Sequence, residues 1–176
     1  MENGATAVIK DDVVEEEQVR AAVDAVVAQH AKLDVLVYNN NNAEGGRCSI
    51  LDDTATEKDL DLGSLSGAFY GGQQAARVMM PRKRGCILYF STTTTAGACS
   101  SRDVMVSRYG LVGLVRNLSA ELGPHGVRVN CISGDGVDAD SVAKAALYLA
   151  SDDANYVSGH NIVLNPDKID PIHHLT

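Results

Sequence analysis

GCILYFSTTTTAG (85–97), SRYGLVGLVRNLSAELG (107–123) and GVRVNCI (126–132) decide how this chain folds, because in that order they read as strand, long helix and strand. Cys86–Phe90 is a short apolar run that ends at Ser91 and four threonines, the pattern of a buried parallel strand. From Asp103 to Leu122, apolar side chains recur at Val104, Leu111, Leu114, Val115, Leu118 and Leu122, a spacing that keeps them on one side of a helix. Gly123-Pro124 stops that helix, and Val127–Ile132 is a second β-branched run. A parallel β-α-β unit of this kind is a building block of nucleotide-using enzymes.

On either side of this unit the chain keeps alternating. Ala5–Ile9 reads as a weak strand. Asp11-Asp12 and Glu15–Glu17 then place negative charge at the positive end of a helix whose apolar stripe is Val19, Ala22, Val23, Val26, Val27 and His30. Leu33–Tyr38 reads as a strand that runs into Asn39–Asn42. A helical region follows from Glu57 to Met80, with Leu60, Leu65, Phe69, Ala76, Met79 and Met80 as its buried positions. Beyond the central unit, Asp138–Asp140 open a helix over Ser141–Ala150, and Asn161–Leu164 closes the sheet. Five strands alternating with four helices predict an α/β layer fold with a mainly parallel sheet in one domain over 1–164. The tail 165–176, which ends near His173-His174, is expected to be loosely ordered.

Composition narrows the function classes. A hydrophobic content of 45% over 176 residues is enough for a real core. A net charge of −8 argues against nucleic-acid or anionic-membrane partners, and no apolar run approaches the roughly 18 residues of a membrane span. Cys48, Cys86, Cys99 and Cys131 lack metal-ligand spacing and read as buried small hydrophobes. A soluble cytoplasmic protein is the expectation.

In a parallel sheet, ligands bind beyond the carboxyl ends of the strands. Asn39–Asn42, Ser91–Thr95 and Ser133–Val137 fall there, and each alone is an ordinary polar turn that ends a strand. Together with KLDVLVYNN, QQAARVMMP, RGCILYFST, GLVGLVRNLSAELGPHGVRVNCIS and AALYLASDDANYVSGHNIVLN, they carry a resemblance. The chain resembles the short-chain dehydrogenase/reductase family, in the style of its plant secoisolariciresinol, xanthoxin and momilactone A dehydrogenase members. The resemblance runs from about Asp12 to Leu164 and implies an incomplete Rossmann-like, doubly wound α/β fold lacking the first two βα units, and NAD- or NADP-dependent chemistry on an alcohol/carbonyl pair.

The departures from that pattern carry the functional reading. Set against the family, the chain begins at the third strand, so the first two βα units and their glycine-rich phosphate-binding turn have no counterpart. Asp12, Asn39 and Asn40 are the remnants of the cofactor side, and no cofactor is expected. The catalytic positions read Ser64 for the asparagine, Thr92 for the serine, Val104 for the tyrosine and Arg108 for the lysine. Val104 has no proton to give, and loss of general acid–base help costs about 10²–10⁴ in rate. Arg108 keeps a charge without being equivalent to a lysine beside a phenol. Tyr109, five residues from Val104, lies roughly 140° around the helix and points elsewhere. The turn Ser133-Gly134-Asp135-Gly136-Val137 puts Asp135 where a nicotinamide would approach, and only four residues separate Val137 from Val142, where the family carries a substrate lid.

Without the first two units, Leu33–Tyr38 is left with an open edge, a liability that Ala5–Ile9 is expected to cover. The resemblance also implies pairing of the helices near 65–80 and 103–122 with a second copy or an intact relative. Gly110 and Gly113, each costing about 1 kcal/mol in a helix, fit close approach of another backbone there. Three readings follow. One is a catalytically silent relative that acts by association. The others are a working NAD(P)-dependent oxidoreductase and a remnant with little function.

Overall fold

The computed structural model describes residues 15–40, 63–91, 102–134 and 137–164. The expected strand Ala5–Ile9, the tail 165–176, and Asp12, Cys48, Thr92, Cys99 and Asp135 lie outside them. Within them the order is α1 (Glu16–His30), β1 (Val35–Asn40), α2 (Gly63–Met79), β2 (Gly85–Ser91), α3 (Arg102–Leu122), β3 (Val127–Gly134), α4 (Ala139–Ala150) and β4 (Asn161–Leu164). The four strands form one parallel sheet in the order β1-β2-β3-β4.

Alternation along the strands sorts the core into two layers. Leu36 and Tyr38 of β1, Ile87 and Tyr89 of β2, and Val127, Val129 and Cys131 of β3 face α2 and α3. Cys86 and Leu88 of β2, with Ile132 of β3, face Leu149 of α4 and Ala154 in the turn just after it. Helices on both faces of a parallel sheet make the expected doubly wound α/β fold, with α1 packed beside α2. Burial of Cys86 and Cys131 matches their reading as small hydrophobes, and burial pushes both thiols up, Cys131 to about 11.

Two expectations are corrected. Phe69 was expected inside but is 44% exposed, its ring edge-on to Tyr70 at 5.8 Å. The inward face of α2 is instead built from small residues, Ala68, Gly72, Ala75 and Ala76, before Met79. A Cβ on Gly72 would run into the Tyr89 hydroxyl and lie 2.7 Å from Leu118, so the helix sits too low on the sheet to admit a large ring. Gly110 was expected to meet another chain. A Cβ there would lie 2.8 Å from Leu65 of α2, so its smallness serves packing within the molecule. Gly113 has open space around it.

The strand expected at Leu33–Tyr38 runs from Val35 to Asn40, because the backbone before it is used otherwise. The Asp34 carbonyl accepts from Cys86 N, the Leu33 carbonyl accepts from Arg82, and the Asp34 carboxylate pairs with Lys32 and Arg82 at 2.8 Å each. The bonded Lys32 ammonium and Arg82 guanidinium hold the Asp34 carboxyl below the usual carboxylate range. A lowered folded-state value adds stability that is complete above the ordinary aspartate value and is lost as pH falls through the lowered one. Both acid and bases are largely exposed, so the effect is small. In acid titrations followed by urea melts, Asp34→Asn is expected to flatten the loss of stability below about pH 4 and leave neutral stability little changed.

On the face away from α2, Val35 and Val37 of β1 are exposed, and no described strand pairs with the outer edge of β1.

Candidate functional site

Pairing fixes the level at which each strand ends. Asn40 of β1 stands opposite Ser91 of β2, and Ser91 stands opposite Ser133 of β3. The three polar positions singled out along the sequence therefore meet in one row at the carboxyl edge of the sheet, where ligands of this fold class bind.

The row is held by polar groups that sequence reasoning missed. The Ser133 hydroxyl is buried and donates to Asn161 Oδ1 of β4 at 2.6 Å. Asn130, fully buried in β3, donates from Nδ2 to the Val157 carbonyl at 2.8 Å and accepts His160 N–H at 3.1 Å. Ser158 accepts from Val129 N–H and shares a hydrogen bond with Ser119 at 2.8 Å. These contacts tie the loop after α4 to β3 and so set β4 beside it. The one signal in the sequence was an asparagine inside the apolar run Val129–Ile132.

The catalytic positions implied by the family pattern distribute as follows. Helix α3 is continuous from Arg102 to Leu122, so Val104 and Arg108 lie one turn apart on the helix that descends from the carboxyl edge of β2. Ser64 lies in the first turn of α2. Asn39 is exposed and Asn40 ends β1, while Asp12 and Thr92 lie outside the described residues. Tyr109 is 70% exposed and turned outward. Tyr89 is fully buried, donates to the Ala68 carbonyl at 3.0 Å and has its phenol pushed far up by burial, so it holds its proton at any physiological pH.

A dinucleotide needs backbone N–H groups at a helix N-terminus for its pyrophosphate. The start of α4 is capped by the Asp138 carboxylate, which accepts from Ser141 N–H at 2.9 Å, and its charge is held on by the Ser141 hydroxyl and N–H. The start of α1 carries Glu15, Glu16 and Glu17. A carboxylate occupies the start of α4, and acidic side chains surround the start of α1 without capping it, so both ends disfavour an anion. Ser91 and Ser133 are polar at this edge, the Ser133 hydroxyl already donating to Asn161, and these described residues do not fit a pyrophosphate, so no hydride step is derived from them. No helix among the described residues is long and apolar enough to cross a membrane, and no described acidic, cysteine and histidine side chains gather into a metal-binding group.

Comparison with known proteins places this geometry. A family model described as enoyl-(acyl carrier protein) reductase matches residues 1–141. The chain is 42% identical to (+)-borneol dehydrogenase 1 of Salvia officinalis over 186 aligned positions, covering 88% of this chain and 72% of that protein. It is 36% identical to momilactone A synthase of Oryza sativa subsp. japonica, covering 90% of this chain and 70% of that one. Among solved structures, a short-chain type dehydrogenase/reductase from Mycobacterium marinum superposes with a TM-score of 0.78 over 89% of this chain and 72% of its own, at 23% identity, a likeness of fold. The sheet order, the helices on its two faces and these matches agree: the chain belongs to the short-chain dehydrogenase/reductase family.

Proposed function

We propose that this chain is a family member without the family's redox catalysis, cytoplasmic and independent of NAD or NADP, and that it acts by associating through α2 and α3 with a second copy or an intact relative. The reading rests on Val104 and Arg108, which lie one turn apart on the unbroken helix α3 and which the sequence resemblance aligns with the family's tyrosine and lysine. The outward surface supports the second half. Val106 and Tyr109 of α3 and Phe69 of α2 are exposed apolar side chains, and Gly113, one turn after Tyr109, leaves helix backbone bare.

Gly113→Leu tests the association. Leucine meets no neighbour within the chain and gains about 1 kcal/mol of helix propensity, so the melting temperature rises. A leucine side chain would at the same time hold a partner helix away, so sedimentation velocity is expected to show fewer dimers, or less capture of a full-length relative. Unchanged association would place the interface elsewhere. A chain that stays monomeric and captures no relative would favour the remnant reading.

Family membership itself favours a second reading, an NAD(P)-dependent oxidoreductase of an alcohol/carbonyl pair with rearranged chemistry. Calorimetric titration with NADH and NADPH separates the two, since micromolar binding of either nucleotide would reinstate the enzyme.

A further inference from the structure

At the end of the sheet opposite the carboxyl edge, the α2–β2 and α3–β3 turns, the start of β1 and the end of α4 enclose an open concavity of about 970 Å³. Its charged lining is Lys32, Arg82, Lys83, Arg84 and Arg128 against Asp34 and Asp152, an excess of three positive charges in a chain whose net charge is −8. Backbone packing forces this crowding. The Gly126 turn lies so close to Lys83 that a Cβ on Gly126 would collide with the Lys83 carbonyl oxygen, and Arg128 follows two residues later.

Some positive charge belongs here for another reason, because α2, α3 and α4 all end at this edge and cations offset their carbonyl ends. The contacts account for only part of the cluster. Backbone N–H groups already cap the ends: Lys83 N–H to the Met80 carbonyl, Gly126 N–H to the Gly123 carbonyl and Ser151 N–H to the Leu147 carbonyl. Arg128 adds bonds from its guanidinium to the carbonyls of Leu149, at 2.6 Å, and Ser151, at 3.1 Å. Asp152 neutralises Arg84 at 3.2 Å, and Asp34 is shared by Lys32 and Arg82. One charge of the Lys32–Arg82 pair, the charge of Arg128 and the whole of Lys83 remain unneutralised by any described carboxylate. The Lys83 ammonium takes no part in the cap that its backbone makes, and it is exposed.

We propose that this concavity binds a small polyanion carrying two or more phosphate or carboxylate groups. Three excess charges on three separate elements suit several anionic groups on one molecule better than a single anion. The volume lies at the upper end of small-ligand sites, and guanidinium groups from two elements match the geometry of phosphate and carboxylate. The site lies across the sheet from the carboxyl-edge row and does not depend on the functional reading given above.

Calorimetric titration of the whole chain with sodium tripolyphosphate, and separately with citrate, tests it. The expected result is saturable one-to-one binding of at least one of them that weakens strongly as salt is raised. Comparable binding of both would mean recognition of charge alone, and preference for one sets the anionic group. Lys83→Asn, which suits the left-handed backbone at φ 52°, and Arg84→Gln each leave the packing untouched. Either should weaken binding about tenfold, Lys83→Asn by removing an unneutralised ammonium and Arg84→Gln by leaving Asp152 unneutralised beside the anion, with the melting temperature of the free protein little changed because the Arg84–Asp152 pair is exposed. Absence of saturable binding of both probes, or full affinity retained in both variants, overturns the proposal.

Discussion

Gly126→Val is expected to remove most of the stability of this protein. Gly126 has φ 71°, in the left-handed region that a β-branched residue adopts only under strain. The collision partner for its Cβ is the Lys83 carbonyl oxygen, a backbone atom that cannot swing away as a flexible side chain could. The Lys83 turn is itself held by a 3.0 Å bond to the Met80 carbonyl and runs straight into β2. Relief has to come from moving the start of β3, where Val127 is fully buried and pairs with Gly85. Backbone strain and overpacking together amount to roughly 3–5 kcal/mol, against total stabilities of about 5–15 kcal/mol for domains of this kind. Urea unfolding of Gly126→Val should show a midpoint far below that of the natural protein, or no soluble folded protein. Gly126→Asn separates the two causes, because asparagine tolerates the backbone angle but keeps the collision. A loss below about 1 kcal/mol in the valine variant would mean that the two turns do not touch as described, since either cause alone exceeds it.

The same turn helps to explain which parts of the molecule were legible in the sequence. Strands β2 and β3 and helix α3 could be read because each carries a long apolar signal with one period, and their boundaries fall within two residues of the expected ones. Asn161–Leu164 was read without error for the same reason. Phe69 was misplaced because helical spacing marks a stripe without saying how close the sheet lies. The Gly72–Tyr89 contact, which excludes large side chains from that stripe, joins residues far apart in the chain. Gly110 was misread on the same ground, its neighbour Leu65 being on another helix. At the candidate site, the polar strand ends were legible one by one, whereas their meeting in one row depends on register. Register is set across strands, by pairs such as Asn40 with Ser91 and Ser91 with Ser133. The Ser133–Asn161 bond was hidden for the same reason, its two ends being joined only when β4 docks beside β3.

Asn130→Leu is expected to cost roughly 2–5 kcal/mol, mostly from what it leaves behind. The side chain is fully buried and its amide is satisfied twice, by the Val157 carbonyl at 2.8 Å and the His160 N–H at 3.1 Å. Leucine matches asparagine closely in size, so packing is nearly conserved while the partner carbonyl and N–H each lose a hydrogen bond. The loop from Val157 to His160 leads directly into β4, and Gly159 N–H also reaches the Val129 carbonyl at 2.7 Å. A loosened loop therefore loosens the strand that holds Ser133 through Asn161, and the damage reaches the carboxyl edge of the sheet. Asn130→Asp gives the same position a titration. When protonated, the carboxyl can still donate to the Val157 carbonyl and accept from His160 N–H, so at low pH the variant should approach the natural protein. When ionised it is a buried acceptor facing another acceptor, so the folded state raises its pKa. A raised value means that this contribution is full below the ordinary aspartate pKa and is lost as pH rises, at about 1.4 kcal/mol per unit until the raised value is passed. Urea melts of the aspartate variant between pH 4 and pH 8 should therefore fall steadily relative to the natural protein, while the leucine variant keeps a constant deficit. Parallel pH profiles for the two variants would show that the Asn130 amide does not bridge Val157 and His160.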